Sequence, residues 1–410
     1  MAAASVDAIV TWAPISVRYL TGYWCWIAPL LKAYMVGSER GEGGAMRNVA
    51  LLPRGRSPTL LVESFWALDA VGTEVTDVRL VGEVDFALDD GQLEVAGEFE
   101  RAVDLITRRN RTQSPFEVLA AVLGELNLDG SRIALEFGGT SPDEIDELRA
   151  LLPRAELLDC TSFLRVLRAV KTDEEIERLR RAAEISESAA MPALETARAG
   201  ISTAEIASRF RESAAAAGAD FDHFAFGPSG VGLVTEAAVQ LRSGDALYAD
   251  FGVVHAGWFA DSGTTLSVGP PAQAAARDHA AVRDCVAAGA AMLGPGRKGS
   301  LVQAAMQEAL RESGITESFP HGHGVGLAVR DYPLIMPDRG LLIRDECIEL
   351  PYDLELEPGM VVNLEAPLFT LGVRSVHCEQ TFVITAEGCR PLVAQDREAP
   401  VHAAGSTGTP

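Results

Sequence analysis

Asp250, Asp261, His323, Glu365 and Glu379 are the residues whose types and settings invite chemistry. All are metal-ligand types, and all lie in the second half of the chain beside apolar or glycine-rich runs. Asp250 ends Ala246-Leu247-Tyr248-Ala249, and Asp261 follows Trp258-Phe259-Ala260. The intervening His255-Ala256-Gly257 reads as the turn of a β-hairpin, which can bring both carboxylates to one face. Two buried carboxylates side by side repel unless a cation or proton stands between them. His323 lies in His321-Gly322-His323-Gly324-Val325-Gly326-Leu327, where glycines allow close backbone approach. Glu365 follows the strand-like Met360-Val361-Val362-Asn363-Leu364, and Glu379 precedes Gln380-Thr381-Phe382-Val383-Ile384. A carboxylate at the edge of an apolar strand is costly unless partnered. Any one of 58 acidic residues is by default a solvated charge. Asp250, Glu365 and Glu379 differ because no lysine stands near in sequence to pair them. Four carboxylates and an imidazole suit Mn²⁺, Fe²⁺, Co²⁺ or Zn²⁺ in a two-metal centre better than a structural zinc site.

The order Asp, Asp, His, Glu, Glu, with these flanks, resembles the pita-bread metallopeptidases of family M24, which include Xaa-Pro dipeptidase and aminopeptidase P. The matching strings are Tyr248-Ala249-Asp250-Phe251-Gly252, Asp261-Ser262-Gly263-Thr264-Thr265, Gly322-His323-Gly324-Val325-Gly326-Leu327 and Pro358-Gly359-Met360-Val361-Val362-Asn363-Leu364-Glu365. Asp7-Ala8-Ile9-Val10-Thr11 and Ile15-Ser16-Val17-Arg18-Tyr19-Leu20-Thr21-Gly22-Tyr23 resemble the accessory domain of prolidase- and creatinase-type members. The resemblance implies an α+β chain: an N-terminal α/β creatinase-type accessory domain over 1–161 and a C-terminal pita-bread catalytic domain over 162–396. It also implies two divalent metal ions, Mn²⁺ foremost and Co²⁺, Zn²⁺ or Fe²⁺ as alternatives. Asp250 would bind one ion, His323 and Glu365 the other, and Asp261 and Glu379 would bridge them. A metal-held hydroxide would attack the C–N bond of a dipeptide or other small substrate, with Glu365 shuttling protons. The resemblance to dimeric relatives also implies a homodimer.

Departures from the family pattern concentrate in the groups that would handle substrate. Where the peptidases carry a histidine after a Gly-Pro-Asn-type turn, the chain has Gly227-Pro228-Ser229-Gly230 and then Val234. Where a second histidine follows the metal-binding one, it has Arg330. Arginine usually stands two residues before the last ligand; here that residue is His377, with Arg374 further back. Residues two apart on a strand face the same way, so His377 reads either as a proton donor or substrate contact, or as a hydrogen-bonding support for Glu379. His321 stands in the same relation to His323. His223, before Phe224-Ala225-Phe226, reads as a substrate contact or a packed histidine. Arg330 and Arg374 read as clamps for a substrate carboxylate or as surface charges. His255 is expected at a hairpin turn, His279 on a helix surface and His402 in a loose tail. Loss of the two histidines opens rival functions: a non-peptide amidohydrolase of ectoine-hydrolase or creatinase type, a metal-dependent lyase, or a catalytically silent binding protein.

The positioning elements follow from pattern. Ala8–Thr11, Val49–Leu52, Thr59–Val62, Val78–Val81 and Ile133–Glu136 read as strands, and Pro115–Leu126 and Pro142–Leu152 as helices, an α/β alternation. Capping boxes at Thr172-Asp173-Glu174-Glu175, Ser202-Thr203-Ala204-Glu205 and Ser300-Leu301-Val302-Gln303 open three further helices, the first ending at Gly200. Residues 331–358 read as a lid, substrate wall or surface excursion. Trp24-Cys25-Trp26, with Trp12 and Tyr23, reads as core or as a pocket wall lent across a dimer. Residues 397–410 read as a disordered tail. A net charge of −23 disfavours nucleic acid and anionic membrane as partners. No run approaches a membrane span, and Met1–Asp7 lacks the pattern of a signal peptide. Six scattered cysteines without a Cys-x-x-Cys fit a cytoplasmic setting.

Overall fold

The computed structural model describes residue 1 and residues 4–27, 47–82, 97–108, 114–138, 140–235, 237–395 and 397–403. It divides into two compact units, Met1–Leu164 with Ile343–Glu349, and Arg165–Leu342 with Leu350–Pro410. The first unit holds β1 (Ala8–Thr11), β2 (Val49–Pro53), β3 (Thr59–Glu63), β4 (Asp77–Val81), β5 (Arg132–Leu135) and β6 (Glu156–Asp159) in the order β4-β3-β2-β1-β5-β6. Its helices are α1 (Pro14–Thr21), α2 (Ala67–Val71), α3 (Glu100–Arg108), α4 (Pro115–Glu125) and α5 (Pro142–Leu151), with α6 (Thr161–Leu167) at the boundary. Five strands and two helices fall within about a residue or two of their sequence readings; β6 was not anticipated.

Strand alternation splits the aliphatic residues between two cores. Ala8, Val10, Leu51 and Ile133 pack with Phe116, Leu119 and Leu123 of α4. Ala50, Leu60 and Val62 pack with Tyr23, Cys25, Ala67 and Ala102. Trp12 and Tyr23 are therefore core residues, whereas Trp24 and Trp26 are exposed. Both α4 and α5 begin with a proline preceded by a Ser–Glu capping box, Ser114/Glu117 and Ser141/Glu144.

In the second unit, α7 (Asp173–Leu194) and α8 (Thr203–Ala216) start at the expected boxes, Thr172/Glu175 and Ser202/Glu205. Helix α7 stops at Leu194, short of Gly200, with Pro192 in its last turn. Strands β7 (Asp220–Gly227), β8 (Ala246–His255) and β9 (Trp258–Ser267) precede helices α9 (Gln273–Met292) and α10 (Gly299–Glu312). The third expected box does not form. Ser300 lies inside α10, its backbone N–H and hydroxyl both donate to Asp353 (2.9 and 2.7 Å), and Gln303 donates to the Pro320 carbonyl. A remote carboxylate has taken over the cap. Strands β10 (His321–Gly324), β11 (Asp331–Ile335), β12 (Leu342–Arg344), β13 (Glu349–Pro351), β14 (Val361–Thr370), β15 (Arg374–Ile384) and β16 (Cys389–Pro391) follow. The large sheet runs β11-β10-β14-β15-β9-β8-β7, with β16 on β15. Val282, Cys285 and Val286 of α9 and Val302, Met306 and Leu310 of α10 cover the face carrying Leu364, Ala366, Val376 and Cys378. Cys378 thus points away from Glu379, as its position on the strand required.

Two expectations are corrected by packing. Residues 331–358 form no free lid: β11 extends the large sheet, β12 and β13 pair, and Asp345 and Glu346 accept from the backbone N–H groups of Phe163 and Asp159. Nor is the chain loose from Arg397. That guanidinium is buried against Glu187 at 2.7 Å, and Val401 exchanges backbone bonds with Thr265 and Ser267. Residues 404–410 lie outside the described residues. Among the described residues no helix is long and apolar enough to cross a membrane.

Candidate metal centre

The other face of the large sheet carries the chemistry, because antiparallel register lays the polar residues in one row. His321 pairs with Glu365 and His323 with Asn363. Glu365 pairs with Glu379, and Glu379 with Gly263. On the β8–β9 hairpin, whose turn falls at Ala256-Gly257 as read, Asp250 pairs with Gly263 and Gly252 with Asp261. His223 of β7 pairs with Gly252. Two glycines make room for rings. A Cβ on Gly263 would stand 2.2 Å from His377 Cδ2, and one on Gly252 would stand 2.5 Å from His223 Cε1. Neither position accepts a side chain without displacing an imidazole.

All five residues first singled out meet here. Donor atoms of Asp261, His323 and Glu379 lie within 4.8 Å of one another, as do those of Glu365, His377 and Glu379, and those of His223, Asp250 and Asp261. His323 is 1% exposed, and its Nδ1–H donates to the Gly324 carbonyl at 3.1 Å. That bond leaves Nε2 as a bare lone pair with no hydrogen-bond partner, 3.4 Å from Asp261 Oδ2 and 3.7 Å from Glu365 Oε1. An orphaned buried acceptor facing carboxylates is what a divalent cation would satisfy. The donor set therefore fits the metal ions that the sequence implied.

The electrostatics agree. Burial, and then the charges of Asp261, Asp250 and Glu365, lift the Glu379 carboxyl well above the usual carboxylate range. Burial also raises Asp261, against the pull of His223. Asp250 and Glu365 go the other way despite burial. His223 Nε2 sits 2.8 Å from Asp250 Oδ1, and His321 Nε2 sits 2.8 Å from Glu365 Oε1, which holds each carboxylate low. Tyr248 Oη–H donates to Asp250 Oδ2 at 2.8 Å, and Asn363 Nδ2–H donates to Glu379.

The histidines and arginines of the surrounding shell divide sharply. His377 is wholly buried, its Nε2 lies 3.0 Å from Glu379 Oε2, and its ring stacks on Tyr248 at 3.9 Å. Burial presses its pKa down to about 4. Its contact with Glu379 is that of the hydrogen-bonding support, one of the two readings the strand spacing offered. Arg330 reaches Glu365 Oε1 at 3.1 Å while 59% of its side chain stays exposed. Arg374 does not face the row: it pairs with Asp278 of α9, with Nε at 2.9 Å, so the substrate-clamp reading fails for it. His279 is buried between Thr265 Oγ1 and the Arg397 carbonyl, and is not on a helix surface. His255 sits at the hairpin turn with Nδ1 on the Gly218 carbonyl. His223 contacts Asp222 (2.8 Å) and Asp261 (3.4 Å) as well as Asp250, so it is not a mere packing residue. Sequence reasoning passed over Tyr248 and Asn363. The two-residue strand period that marked His377 would have found both, since each lies two residues before a candidate ligand.

An antiparallel sheet covered by helices on one face and lined with cation-seeking groups on the other defines a metallohydrolase of the pita-bread type. Residues 177–386 match the model of metallopeptidase family M24, and residues 1–170 match the creatinase/prolidase N-terminal domain. The uncharacterized peptidase YqhT of Bacillus subtilis is 30% identical over 258 residues, 61% of this chain and 69% of that one. The Xaa-Pro dipeptidase of Lactobacillus helveticus is 24% identical over 304 residues, 70% of this chain and 77% of that one. The crystal structure of X-Pro aminopeptidase from Thermotoga maritima superposes with a TM-score of 0.73 at 21% identity, covering 97% of this chain and 98% of that one. The chain belongs to metallopeptidase family M24, a family of metal-dependent hydrolases.

Proposed function

We propose that this chain hydrolyses the C–N bond of a small substrate, an Xaa-Pro dipeptide first among them, with two divalent cations held by Asp250, Asp261, His323, Glu365 and Glu379. The observation that carries the reading is the bare, buried Nε2 of His323 facing Asp261 and Glu365. Cations bound there would supply Lewis-acid polarisation of the scissile carbonyl and a water of lowered pKa. Mn²⁺ is the first choice, since the donors are mostly carboxylate oxygens.

The protein's own part follows from the contacts. Glu365, kept ionised by His321, accepts a proton from water and returns it to the leaving nitrogen. His377 and Asn363 orient Glu379, and Tyr248 orients Asp250. Arg330, mostly exposed at the rim yet in contact with Glu365, is placed to take a substrate carboxylate. A homodimeric, cytoplasmic enzyme completes the proposal, supported by the accessory-domain match and by six free cysteines. A second reading, a non-peptide amide or amidine as in ectoine hydrolase and creatinase, or elimination by a lyase, is favoured by Val234 and Arg330, which replace both expected histidines.

The test is elemental analysis of wild type and Asp261→Ala, followed by turnover of Gly-Pro, Ala-Pro and small non-peptide amides with Mn²⁺, Co²⁺ or Zn²⁺. About two ions per chain, lost in the variant, and dipeptide turnover lost in Glu365→Gln are expected. No specific metal under any reconstitution would end this reading.

A further inference from the structure

His223 falls outside the five-residue ligand set, yet it is built like a ligand. It sits on β7 directly across from Gly252, and the missing side chain there is the space its ring fills. Nε2 reaches over that glycine to Asp250 Oδ1 at 2.8 Å and Asp261 Oδ1 at 3.4 Å. Neighbouring donors around an ion bound at about 2.1 Å stand about 3.0 Å apart in an octahedron and about 3.4 Å apart in a tetrahedron. The two separations from Nε2, 2.8 and 3.4 Å, are close to such edges, and all three donors lie within 4.8 Å of one another. On the far side of the ring, Nδ1 meets Asp222 Oδ2 at 2.8 Å. A carboxylate on one imidazole nitrogen fixes the tautomer that presents the other as a lone pair and raises its basicity, the arrangement that metal-binding histidines show.

We propose that His223 is a sixth protein ligand, binding through Nε2 the ion that Asp250 and Asp261 hold, with Asp222 as its orienting carboxylate. This rests on the dinuclear reading above. In the five-residue set, one ion has His323 and the other has only oxygen donors. With His223, each ion has an imidazole, one from either flank of the row. The Asp250 ion then loses an open position, and imidazole in place of a water shifts its preference from Mn²⁺ towards Zn²⁺, Co²⁺ or Fe²⁺. Substrate would approach from the His323 side, where Arg330 and His321 stand.

The test reads binding and spectroscopy. Full-length wild type, His223→Ala, His223→Gln and Asp222→Asn are stripped of metal and titrated with Co²⁺ and Mn²⁺ by calorimetry. Nitrogen couplings to bound Mn²⁺ are counted by pulsed electron paramagnetic resonance. Two ions in the wild type with couplings from two imidazoles, one coupling lost and one ion weakened at least about tenfold in both His223 variants, and an intermediate weakening in Asp222→Asn, are expected. The second ion's unchanged affinity doubles as the folding control, and Asp222→Asn, which leaves the ring in place, serves if the His223 variants do not fold. Two ions of unchanged affinity in every variant, with a single imidazole coupling throughout, would overturn the proposal and leave the dinuclear reading standing. No ion bound by the wild type would overturn both.

Discussion

The six-stranded sheet of the first unit is aliphatic on both faces, with Ala8, Val10 and Leu51 on one side and Ala50, Leu60 and Val62 on the other. The eight-stranded sheet keeps such residues for the helix-covered face and gives the opposite one to carboxylates and imidazoles. Both units bury acidic residues, but those in the polar row of the larger sheet are satisfied differently from the rest. Glu63 accepts from Ser64 Oγ and the Phe65 N–H, and Glu136 accepts from the Thr11 hydroxyl. Each of these hydrogen bonds comes from a neutral donor. Glu379 faces three other carboxylates, and its own hydrogen-bond partners, Asn363 and the low-pKa His377, bring it no charge, because His223, His321 and Arg330 are engaged with Asp250, Asp261 and Glu365. A buried acid with its own donors is architecture. One crowded by other acids is waiting for a cation.

The hardest break in that contrast is Glu365→Gln, which keeps shape and removes the proton acceptor. Turnover of the active substrate should fall by roughly 10²–10⁴-fold, measured as kcat/KM; a loss under tenfold would remove Glu365 from proton transfer. Next, metal should stabilise the second unit alone. Calorimetric melts with chelator and then with Mn²⁺ at about 1,000 times its Kd should differ by about 4 kcal/mol per site. The gain should vanish in Asp261→Ala and leave the first unit's transition where it was. If both transitions move together, the contrast between the units is not thermodynamic.

A smaller effect comes from pH. His377 is buried neutral and resists protonation down to about 4, against an ordinary value near 6.5. Between those values the unfolded chain binds a proton that the folded one does not, so stability falls as pH falls through this window and is unaffected above it. The loss attributable to His377 is about 3 kcal/mol. His223 and His321, raised by their carboxylate partners, act with the opposite sign, stabilising below about 6.5 and losing that contribution as pH rises through their folded values. Urea melts of the metal-free protein and of His377→Phe at pH 7.5 and 4.5 isolate the first term. Equal pH slopes in the two proteins would refute it.

Local pattern carried most of the architecture, and distance in sequence decided where it ran out. The strands of the first unit were legible as short aliphatic runs between turns, and the β8–β9 hairpin from two apolar stretches around His255-Ala256-Gly257. The five candidate ligands were legible chiefly through the resemblance of their flanking strings to family M24, with the carboxylates standing beside apolar runs and His323 in a glycine-rich one. Arg374 stayed open between a clamp and a paired surface charge because its partner, Asp278, comes from a helix far away in the chain. Ser300 was misjudged as a cap because Asp353 takes its donors. His279 looked like a surface residue until Thr265 and the Arg397 carbonyl closed over it. Arg397 itself looked like the start of a loose tail because Glu187 was not in view. Each miss is a long-range partner that no periodicity encodes.

The finest comparison sets one glycine in each unit against the other. Gly263 lies under His377, and an added methyl would meet the ring at 2.2 Å with Glu379 Oε2 at 2.6 Å. Gly124 lies in α4 with nothing within 4 Å of the same methyl. Gly263→Ala should therefore cost about 1–3 kcal/mol, the usual penalty of overpacking, and should weaken metal binding, because His377 can yield only by dragging Glu379 out of the row. Gly124→Ala, in the last turn of α4, should stabilise the first unit by less than the ~1 kcal/mol that alanine gains over glycine in a helix interior, and leave metal binding alone. Denaturant melts with parallel metal titration read both changes. If Gly263→Ala is neutral in stability and in affinity, the ring has room to move, and the tight seat that couples His377 to Glu379 is not what holds the centre together.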